Sequence, residues 1–490
     1  MIFFKIIQTL IAKVVWMEAI QKDTQLELER TSIWGELKKA LTGTEADYTQ
    51  ISLGKAVFLL SVPMVLELVM ESAFAVVDIY FVGALGPSAV AAVGLTETYL
   101  FLLYSLAIGM STAVTAIIAR RIGEGDKEQA GIAAVQSVFL SILVSLPFAI
   151  FGVWFAKDLL LLMGGDPWVI EHGSRYTQWI FGGNIVIMLL FGLNAVFRGA
   201  GDAAIAMRVL WISNGLNIIL DPIFIFGFGP VPALGIEGAA IATNIGRGVG
   251  VVFQVYLLLK GGKHIRVLGS QISVHWKIIS DIVRTSLGGI GQTIIGMTSW
   301  IFLVRIISDF GSEAVAGATI TLRIMMFTLM PSWGMSNAVA TLVGQNLGAR
   351  RPDRAERSVW IVGAWNMFFL IGVSICYFIF RESLVSIFTS DAKVISIGSE
   401  WLGIVSYSYF VYAWWMVSVQ AFNGAGDTMT PTIINLVFFW IFQIPFAYVL
   451  AKVLSYGYSG VFWASMITET SVGLFTLWLF RKGGWKTSKV

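Results

Sequence analysis

Residues 56–82 have the sequence AVFLLSVPMVLELVMESAFAVVDIYFV, a predominantly apolar run that also contains three carboxylates. An α-helix needs about 20 predominantly apolar residues to cross the hydrocarbon core of a bilayer, so this run predicts a transmembrane helix. Glu67, Glu71 and Asp78 follow one another at spacings of four and seven, which places them on one helical face. Ionisable groups at membrane depth are costly and therefore indicate a functional site.

The composition of the whole chain indicates an integral membrane protein. Of the 490 residues, 57% are hydrophobic and 13% are charged, whereas a soluble domain has about 25% charged residues. The single cysteine excludes an intramolecular disulfide, and the three histidines lie in or beside loops, which disfavours a histidine metal site. We predict an all-α fold with twelve transmembrane helices, at residues 56–82, 94–119, 130–155, 172–197, 205–227, 236–259, 277–308, 318–345, 357–380, 396–422, 430–452 and 458–480.

The distribution of lysine and arginine predicts the orientation in the membrane. One set of loops, together with the C-terminal tail, holds seventeen of these residues, whereas the opposite set holds only Lys157, Arg381, Lys393 and Lys452. Because cytoplasmic loops carry the excess of positive charge, both termini are expected in the cytoplasm. We therefore predict a multi-pass plasma (inner) membrane protein.

The chain repeats itself at an offset of 225 residues. The segment RGAGD at 198–202 aligns with NGAGD at 423–427, and three further landmarks share the same offset. Parallel repeats of this kind predict two six-helix lobes related by a pseudo-two-fold axis along the membrane normal. We predict five divisions of the chain. The first is an N-terminal extension with an interfacial amphipathic helix and a solvated connector, at residues 1–51. It is followed by the first lobe at 52–260, a cytoplasmic linker at 261–276, the second lobe at 277–481 and a cytoplasmic tail at 482–490.

The order of these motifs resembles the MATE (multidrug and toxic compound extrusion) family. The resemblance covers about residues 52–481 and rests on VDIYFVG at 77–83, RGAGD at 198–202, NIILDP at 217–222 and NGAGDT at 423–428. It implies cation-coupled antiport of drug-like compounds by two lobes that alternate access.

The resemblance also implies a sodium site in the first lobe, because Asp78, Asn217, Asp221 and Thr243 match positions that form one in similar MATE proteins. Carboxylate, amide and hydroxyl oxygens are hard donors that suit a hard cation. The alternative is that these groups accept or donate hydrogen bonds between helices, and Thr243 in particular could bond to its own helix. Proton binding by the two aspartates is equally open.

The second half lacks these polar groups. At the repeat offset, Leu303, Phe442 and Phe446 replace Asp78, Asn217 and Asp221. The seventh and tenth spans contain no carboxylate near residues 298–304 and 411–417. This pattern looks more like the DinF-type branch than the NorM-type branch.

A substrate cavity is the remaining prediction. Glu67 and Glu71 could meet cationic substrates, while Tyr412, Trp415 and Met325 could supply ring faces and adaptable surface; helix packing is the alternative for each. No role is assigned to Arg247 or Glu469.

The expected function is secondary active efflux of drug-like compounds in exchange for Na+ or H+. We expect the protein to act as a monomer in contact with membrane lipid, to bind no nucleic acid and to need no cofactor besides the coupling ion. An alternative is a flippase or exporter of a lipid-linked or other amphipathic metabolite in the same superfamily. A membrane-embedded enzyme is disfavoured, because no histidine lies at membrane depth and no H-E-x-x-H motif occurs. The sequence has no Walker-type phosphate loop, so ATP is not the expected energy source.

Overall fold

The computed structural model describes residues 33–488, apart from residues 45 and 263. The amphipathic helix expected near the N-terminus therefore lies outside the described residues. Within them, every named element is helical, as the sequence predicts. The α-helices up to the linker are α1 (Ile33–Thr42), α2 (Leu53–Gly83), α3 (Pro87–Gly123), α4 (Lys127–Trp154), α5 (Ala156–Leu162), α6 (Ser174–Gly182), α7 (Asn184–Ala200), α8 (Ala203–Phe226) and α9 (Ile236–Lys260). The remaining ones are α10 (Trp276–Ser308), α11 (Ser312–Gly348), α12 (Pro352–Ser386), α13 (Ala392–Val405), α14 (Tyr409–Gly424), α15 (Met429–Asn435), α16 (Ile444–Tyr448) and α17 (Gly457–Lys482).

The described chain contains ten continuous helices that are long and apolar enough to cross a membrane. The pair α13 and α14, bent by 63° at their junction, adds an eleventh span if it is counted as one. The twelfth expected span corresponds to α17, which has 26 residues but does not belong to this set. A total of twelve spans therefore stays a prediction.

Two spans are irregular in a way that the sequence pattern does not predict. The fourth span begins with a π-helical turn at Val169–Gly173 and continues through α6 and α7. The span at Met429–Val453 contains α15 and α16 together with π-helical stretches at Leu436–Gln443 and Val449–Val453. Pro445 lies between the two π-helical stretches. Proline has no backbone N–H to donate to the helix, and π-helical turns are frequent at functional sites.

The buried apolar side chains form three clusters. One contains residues from Val82 to Ile282 and lies almost entirely in the first half, while another contains residues from Leu303 to Ala464 and lies in the second half. The third contains residues of α1, α2 and α8 together with residues of α11, α12, α14 and α17. This third cluster joins the two halves.

The two halves approach each other closely at the helix ends that carry the lysine- and arginine-rich loops. In α11, a Cβ added at Gly344 would lie 2.6 Å from Ala119 Cβ of α3. Nearby, Thr341 Oγ1 donates a hydrogen bond to the Arg198 carbonyl at 3.0 Å, and Gln345 Nε2 donates one to the Gly199 carbonyl at 3.0 Å. This end of the molecule is therefore closed by direct backbone and side-chain contacts.

The described residues directly before α2 contact both halves of the molecule. Tyr48 is buried, and its hydroxyl donates a hydrogen bond to the Gly201 carbonyl at 3.1 Å. Arg351 Nη1 donates to the Thr49 carbonyl at 2.6 Å, and Arg354 donates to the carbonyls of Tyr48 and Ile51. The segment therefore connects the first half to the α11–α12 loop of the second half. The carbonyls of Tyr48, Thr49 and Ile51 thus accept long-range hydrogen bonds that the local sequence does not reveal.

Candidate cation and substrate site

Three of the four predicted cation ligands lie together between α8 and α9. Asp221 and Asn217 are buried. With its amide oriented to satisfy its neighbours, Asn217 donates a hydrogen bond to Asp221 Oδ2 at 2.9 Å. Its amide oxygen then accepts from the backbone N–H and the hydroxyl of Thr243, at 2.9 and 3.1 Å. Carboxylate, amide and hydroxyl oxygens thus converge at one place.

The local sequence explains why these side chains meet. Asn217 and Asp221 are one helical turn apart and share a face of α8. The facing helix carries glycine at this level, and a Cβ added at Gly246 would lie 2.6 Å from the Ser213 carbonyl and 3.1 Å from Asn217 Cβ. Because glycine leaves this space free, α9 can approach closely enough for Thr243 to reach the amide.

Asp78 is the fourth predicted ligand and comes from α2. It is half-buried, and its charge repels that of Asp221 and that of Glu97 while Arg247 attracts it. In the described ranges, no residue donates a hydrogen bond to its carboxylate. Asp78 therefore retains free oxygen lone pairs on the side of α2 that faces the Asn217–Asp221 pair. Within those ranges, no group of three or more His, Cys, Asp or Glu side chains is arranged to hold a metal ion, so a cation bound here would rely on two carboxylates and neutral oxygens.

Glu71 and Arg247 form a second polar group next to this site. Arg247 Nη2 lies 3.5 Å from Glu71 Oε1, and Arg247 Nη1 donates a hydrogen bond to the Tyr104 hydroxyl at 3.2 Å. Asn214 Nδ2 donates to the other Glu71 oxygen at 2.9 Å. Arg247, whose role the sequence pattern does not indicate, is thus paired within the membrane-spanning region. Glu71 connects α2 to both α8 and α9.

Glu67 is buried and paired with an arginine that the sequence places at the end of a loop. Arg198 Nη1 donates to Glu67 Oε1 at 3.1 Å, and its Nη2 donates to Ser111 Oγ at 3.0 Å. Gln254 Nε2 donates to Asn194 Oδ1 at 2.6 Å, which orients the Asn194 amide group 3.5 Å from Glu67. The interaction between helices is therefore what the structure shows for Glu67. Arg198 belongs to the RGAGD motif, and this was the feature of the sequence that could have indicated a role for it.

The equivalent region of the second half is apolar, as the repeat comparison predicts. Leu303 is buried, and the rings of Phe442 and Phe446 stack with centroids 5.1 Å apart. Thr468, the counterpart of Thr243, donates its hydroxyl to the Ala464 carbonyl of its own helix at 2.8 Å. The second-half counterparts of the predicted cation ligands therefore do not converge as Asp221, Asn217 and Thr243 do.

The predicted cavity residues of the second half occupy different positions. Met325 is buried in the apolar cluster, which fits the packing alternative. Tyr412 and Trp415 are only partly buried, on α14, with ring centroids 4.9 Å apart.

The membrane-spanning helices of the first half thus enclose several acidic groups, and comparison with known proteins identifies the family. The MatE family model matches residues 63–223 and again residues 286–449. The chain therefore belongs to the MatE family. The two matches begin 223 residues apart and end 226 residues apart, which agrees with the internal repeat found in the sequence.

Several relatives match over most of their length. The chain is 28% identical over 442 residues to the probable multidrug resistance protein NorM of Thermotoga maritima, covering 89% of this chain and 94% of that protein. It is 26% identical to the probable multidrug resistance protein YoeA of Bacillus subtilis, covering 90% and 96% of the two chains. It is 24% identical to the FAD transporter of Shewanella oneidensis, covering 88% and 95%. These relatives are transporters or resistance proteins, and their names do not support the expected DinF-type branch.

Solved structures share the fold. A MATE protein crystallised in a bent conformation matches with a TM-score of 0.84 and 26% identity, covering 90% of this chain and 97% of that one. The outward-facing conformation of a multidrug resistance MATE transporter matches with a TM-score of 0.84 and 26% identity, covering 90% and 98%.

Proposed function

We propose that this chain is a secondary active efflux antiporter that exports drug-like, often cationic and amphipathic compounds in exchange for Na+ or H+. Membership of the MatE family and relatives named as multidrug resistance proteins support the transport class. The observation that carries the coupling is the convergence of Asp221, Asn217 and Thr243 opposite the unbonded carboxylate of Asp78.

The two aspartates explain how a cation could drive a conformational change. Their negative charges repel each other, and a sodium ion or a proton would remove that repulsion and draw α2 towards α8. A bound ion shifts a conformational equilibrium only if it binds one state better than the other. Pro63 inside α2 removes one helix hydrogen bond and so provides a place where this helix can bend.

Alternating access further requires two lobes, which we place at residues 52–260 and 277–481. The separate apolar clusters of the two halves and their close contacts at the lysine- and arginine-rich ends support this division. With these ends in the cytoplasm of a plasma-membrane protein, the described conformation is closed towards the cytoplasm. The pattern in the second half, without carboxylates at the positions of the sodium site, supports a DinF-type mode of coupling through the first lobe alone.

Efflux from proteoliposomes tests the proposal. Purified full-length chain is reconstituted, and export of a fluorescent cationic dye is measured under a sodium gradient and a proton gradient imposed separately. We expect export under at least one gradient without ATP. Export that requires ATP, or that responds to neither gradient, would contradict secondary antiport.

One relative favours a second candidate function. The FAD transporter of Shewanella oneidensis matches 88% of this chain, so export of an amphipathic metabolite is the alternative to drug export. Competition between the dye and flavin compounds in the same liposomes distinguishes the two. Stronger competition by flavins than by cationic drugs would favour the metabolite.

A further inference from the structure

A cavity of about 730 Å³ lies where the two halves meet at the lysine- and arginine-rich end of the molecule. Its walls come from residues 46–50 before α2, from the α3–α4 loop of the first half and from the α11–α12 loop of the second half. His264 of the linker completes the lining. Small organic molecules typically bind in cavities of about 300–1,000 Å³, so the space exceeds what a single inorganic ion needs.

Backbone contacts between the two halves line this cavity. A Cβ added at Gly123, at the end of α3, would overlap the carbonyl group of Gln345 in α11. A Cβ added at Gly348, at the end of α11, would overlap the Arg120 carbonyl oxygen of α3. The cavity is therefore shared by both halves, and its walls separate if this end of the molecule opens.

The lining of the cavity carries an excess of positive charge. Lys127 of the first half and Arg350 and Arg351 of the second half contribute to the walls. Arg351 Nη1 donates one hydrogen bond to the Thr49 carbonyl at 2.6 Å, which leaves most of the five N–H donors of this guanidinium group for another acceptor. Within the described ranges, neither Arg350 nor Arg351 forms an ion pair with a carboxylate.

The two carboxylates of the lining are balanced by arginines that lie outside it. Arg121 Nη1 lies 2.8 Å from Glu124 Oε2, and Asp47 lies within electrostatic reach of Arg354. The negative charge of the lining is thus compensated by its neighbours, so the charge that remains uncompensated in the cavity is positive.

The backbone of Arg350 is strained, whereas that of its repeat counterpart is not. Its φ is 57°, in the left-handed region that disfavours residues with a side chain. The end of α11 closes with a hydrogen bond from the Arg351 N–H to the Asn346 carbonyl at 2.7 Å, and the corresponding bond is present at the end of α3. A helix end of this kind usually carries glycine, and the first half has Gly125, with φ 79°, at the offset of 225 residues. Strained residues are concentrated at functional sites, so an arginine in place of glycine indicates a role for its side chain.

We propose that this cavity binds an organic phosphate, with the phosphate group held between Arg350 and Arg351. The planar guanidinium group donates two parallel hydrogen bonds to a phosphate, and the same positive charges repel a cation. The volume of the cavity leaves space for the body of the molecule beside Thr49 and Gln50. A water-soluble phosphomonoester and a phospholipid headgroup share this chemistry, and separate measurements distinguish them.

Such a ligand favours the conformation that the structure shows. It contacts both halves only while the ends of α3 and α11 touch, so it binds this state better than a state that is open at this end and shifts the equilibrium towards the closed state. Bound phosphate therefore slows export by holding this end closed. The effect on export rests on the transport function proposed above, whereas the binding site itself does not.

Binding to the full-length protein in phosphatidylcholine nanodiscs tests the site without any ion gradient. The probes are glycerol 3-phosphate and its neutral counterpart glycerol, at constant ionic strength, and we expect only the phosphate to bind. Arg350→Gly should weaken the binding of glycerol 3-phosphate by about tenfold or more, because a charge-assisted hydrogen-bond partner is lost. Without ligand, the same variant should unfold at an equal or higher temperature than the wild type, because glycine suits this φ. An arginine with a merely structural role would not combine weaker binding with undiminished stability.

Two control variants separate strain and general charge from the site. Ser455→Gly relieves the same kind of strain, at φ 59°, at the opposite end of the molecule and should leave the affinity unchanged. Arg357→Gln removes a positive charge from an exposed position of α12 outside the cavity and should change the affinity by less than about twofold. Equal weakening in Arg357→Gln and Arg350→Gly would overturn the proposal, because the attraction would then come from the diffuse charge of this surface.

A measurement with lipid identifies the source of the phosphate. Native mass spectrometry of the protein from nanodiscs of phosphatidylcholine and phosphatidic acid detects bound phosphatidic acid, whose headgroup is glycerol 3-phosphate. Retention of this lipid by the wild type but not by Arg350→Gly would assign the site to a lipid headgroup, whereas binding of glycerol 3-phosphate alone would assign it to a water-soluble compound. Failure of the wild type to bind either probe, or equal affinities in wild type and Arg350→Gly, would overturn the proposal. Failure of secondary antiport has a different signature, namely intact phosphate binding with no gradient-driven export.

Discussion

Substitution of Gly344 by valine tests whether the close contact between the two halves sets the resting conformation. Gly344 lies in α11 against α3, and even a single added Cβ would lie 2.6 Å from Ala119 Cβ and 3.2 Å from the Gly424 carbonyl oxygen. Carbon atoms in favourable contact are about 3.5–4.0 Å apart, so the two helices would have to separate by roughly 1 Å. The closed end of the molecule cannot keep its present packing with this side chain.

The expected size of the effect follows from overpacking. Inserting extra methyl groups into a well-packed interface costs about 1–3 kcal/mol. If the cost falls on the state closed at this end and not on the open state, the ratio of the two populations changes by about 5- to 150-fold. The matched control is Gly372→Val in α12, because nothing lies within 4 Å of a Cβ added there.

Distances between spin labels measure the outcome. Labels at Glu128 and Arg357, both exposed near the closed end, are introduced in a Cys376→Ser background and followed by pulsed electron resonance. We expect Gly344→Val to shift the distances to longer values and to slow export, whereas Gly372→Val should do neither. Thermal unfolding of each variant identifies general destabilisation. An unchanged distribution in correctly folded Gly344→Val, or the same shift in both variants, would refute the reasoning.

Three further predictions concern coupling, acid stability and topology. Asp78→Asn and Asp221→Asn should fold yet lose most gradient-driven efflux, because each removes a ligand and a charge from one site. Asp158→Asn, the same change at an exposed residue, should export normally. Normal export by Asp221→Asn at equal membrane abundance would mean that Asp221 only accepts structural hydrogen bonds. Hydrogen bonds from Lys452, and to a smaller extent from Arg305, hold the pKa of Asp309 below its ordinary value. These bonds therefore stabilise the folded state above the pKa of an aspartate in the unfolded chain, about 3.9, and this stabilisation is lost as the pH falls below that value. The difference in thermal unfolding temperature between wild type and Asp309→Asn should therefore shrink below about pH 4, and a difference that does not depend on pH would contradict this. Single cysteines introduced at Pro87 and Pro230 should be accessible from outside intact cells, whereas those at Gly125, Lys263 and Val490 should be accessible only from inside. Labelling of the cysteine at Lys263 from the exterior would contradict the predicted orientation.

The candidate cation site was partly predictable from the sequence. Asn217 and Asp221 are one turn apart in one helix, and this spacing alone puts them on a common face. Thr243 joins them because Gly246 allows the next helix to approach, a distance that the sequence does not specify. Whether Asp78 shares a cation with them depends on the position of α2, which tertiary packing decides.

The partners of buried charges show the same limit. Glu67 and Arg198 are 131 residues apart in the chain, and Glu71 and Arg247 are 176 residues apart. Helical spacing connects residues three or four positions apart, so it indicates that these charges need partners but not which partners they have.

The sequence by itself determined that the chain is helical, that it enters the membrane and that it repeats, because long apolar runs have no other stable arrangement in a bilayer and a repeat is visible in the order of residues. Only the tertiary structure decided the π-helical stretches of the span at Met429–Val453, the bend between α13 and α14, and the burial of Tyr48 between the two halves. Each of these depends on contacts between distant segments, and their geometry is set when helices pack together rather than by the residues of any one helix.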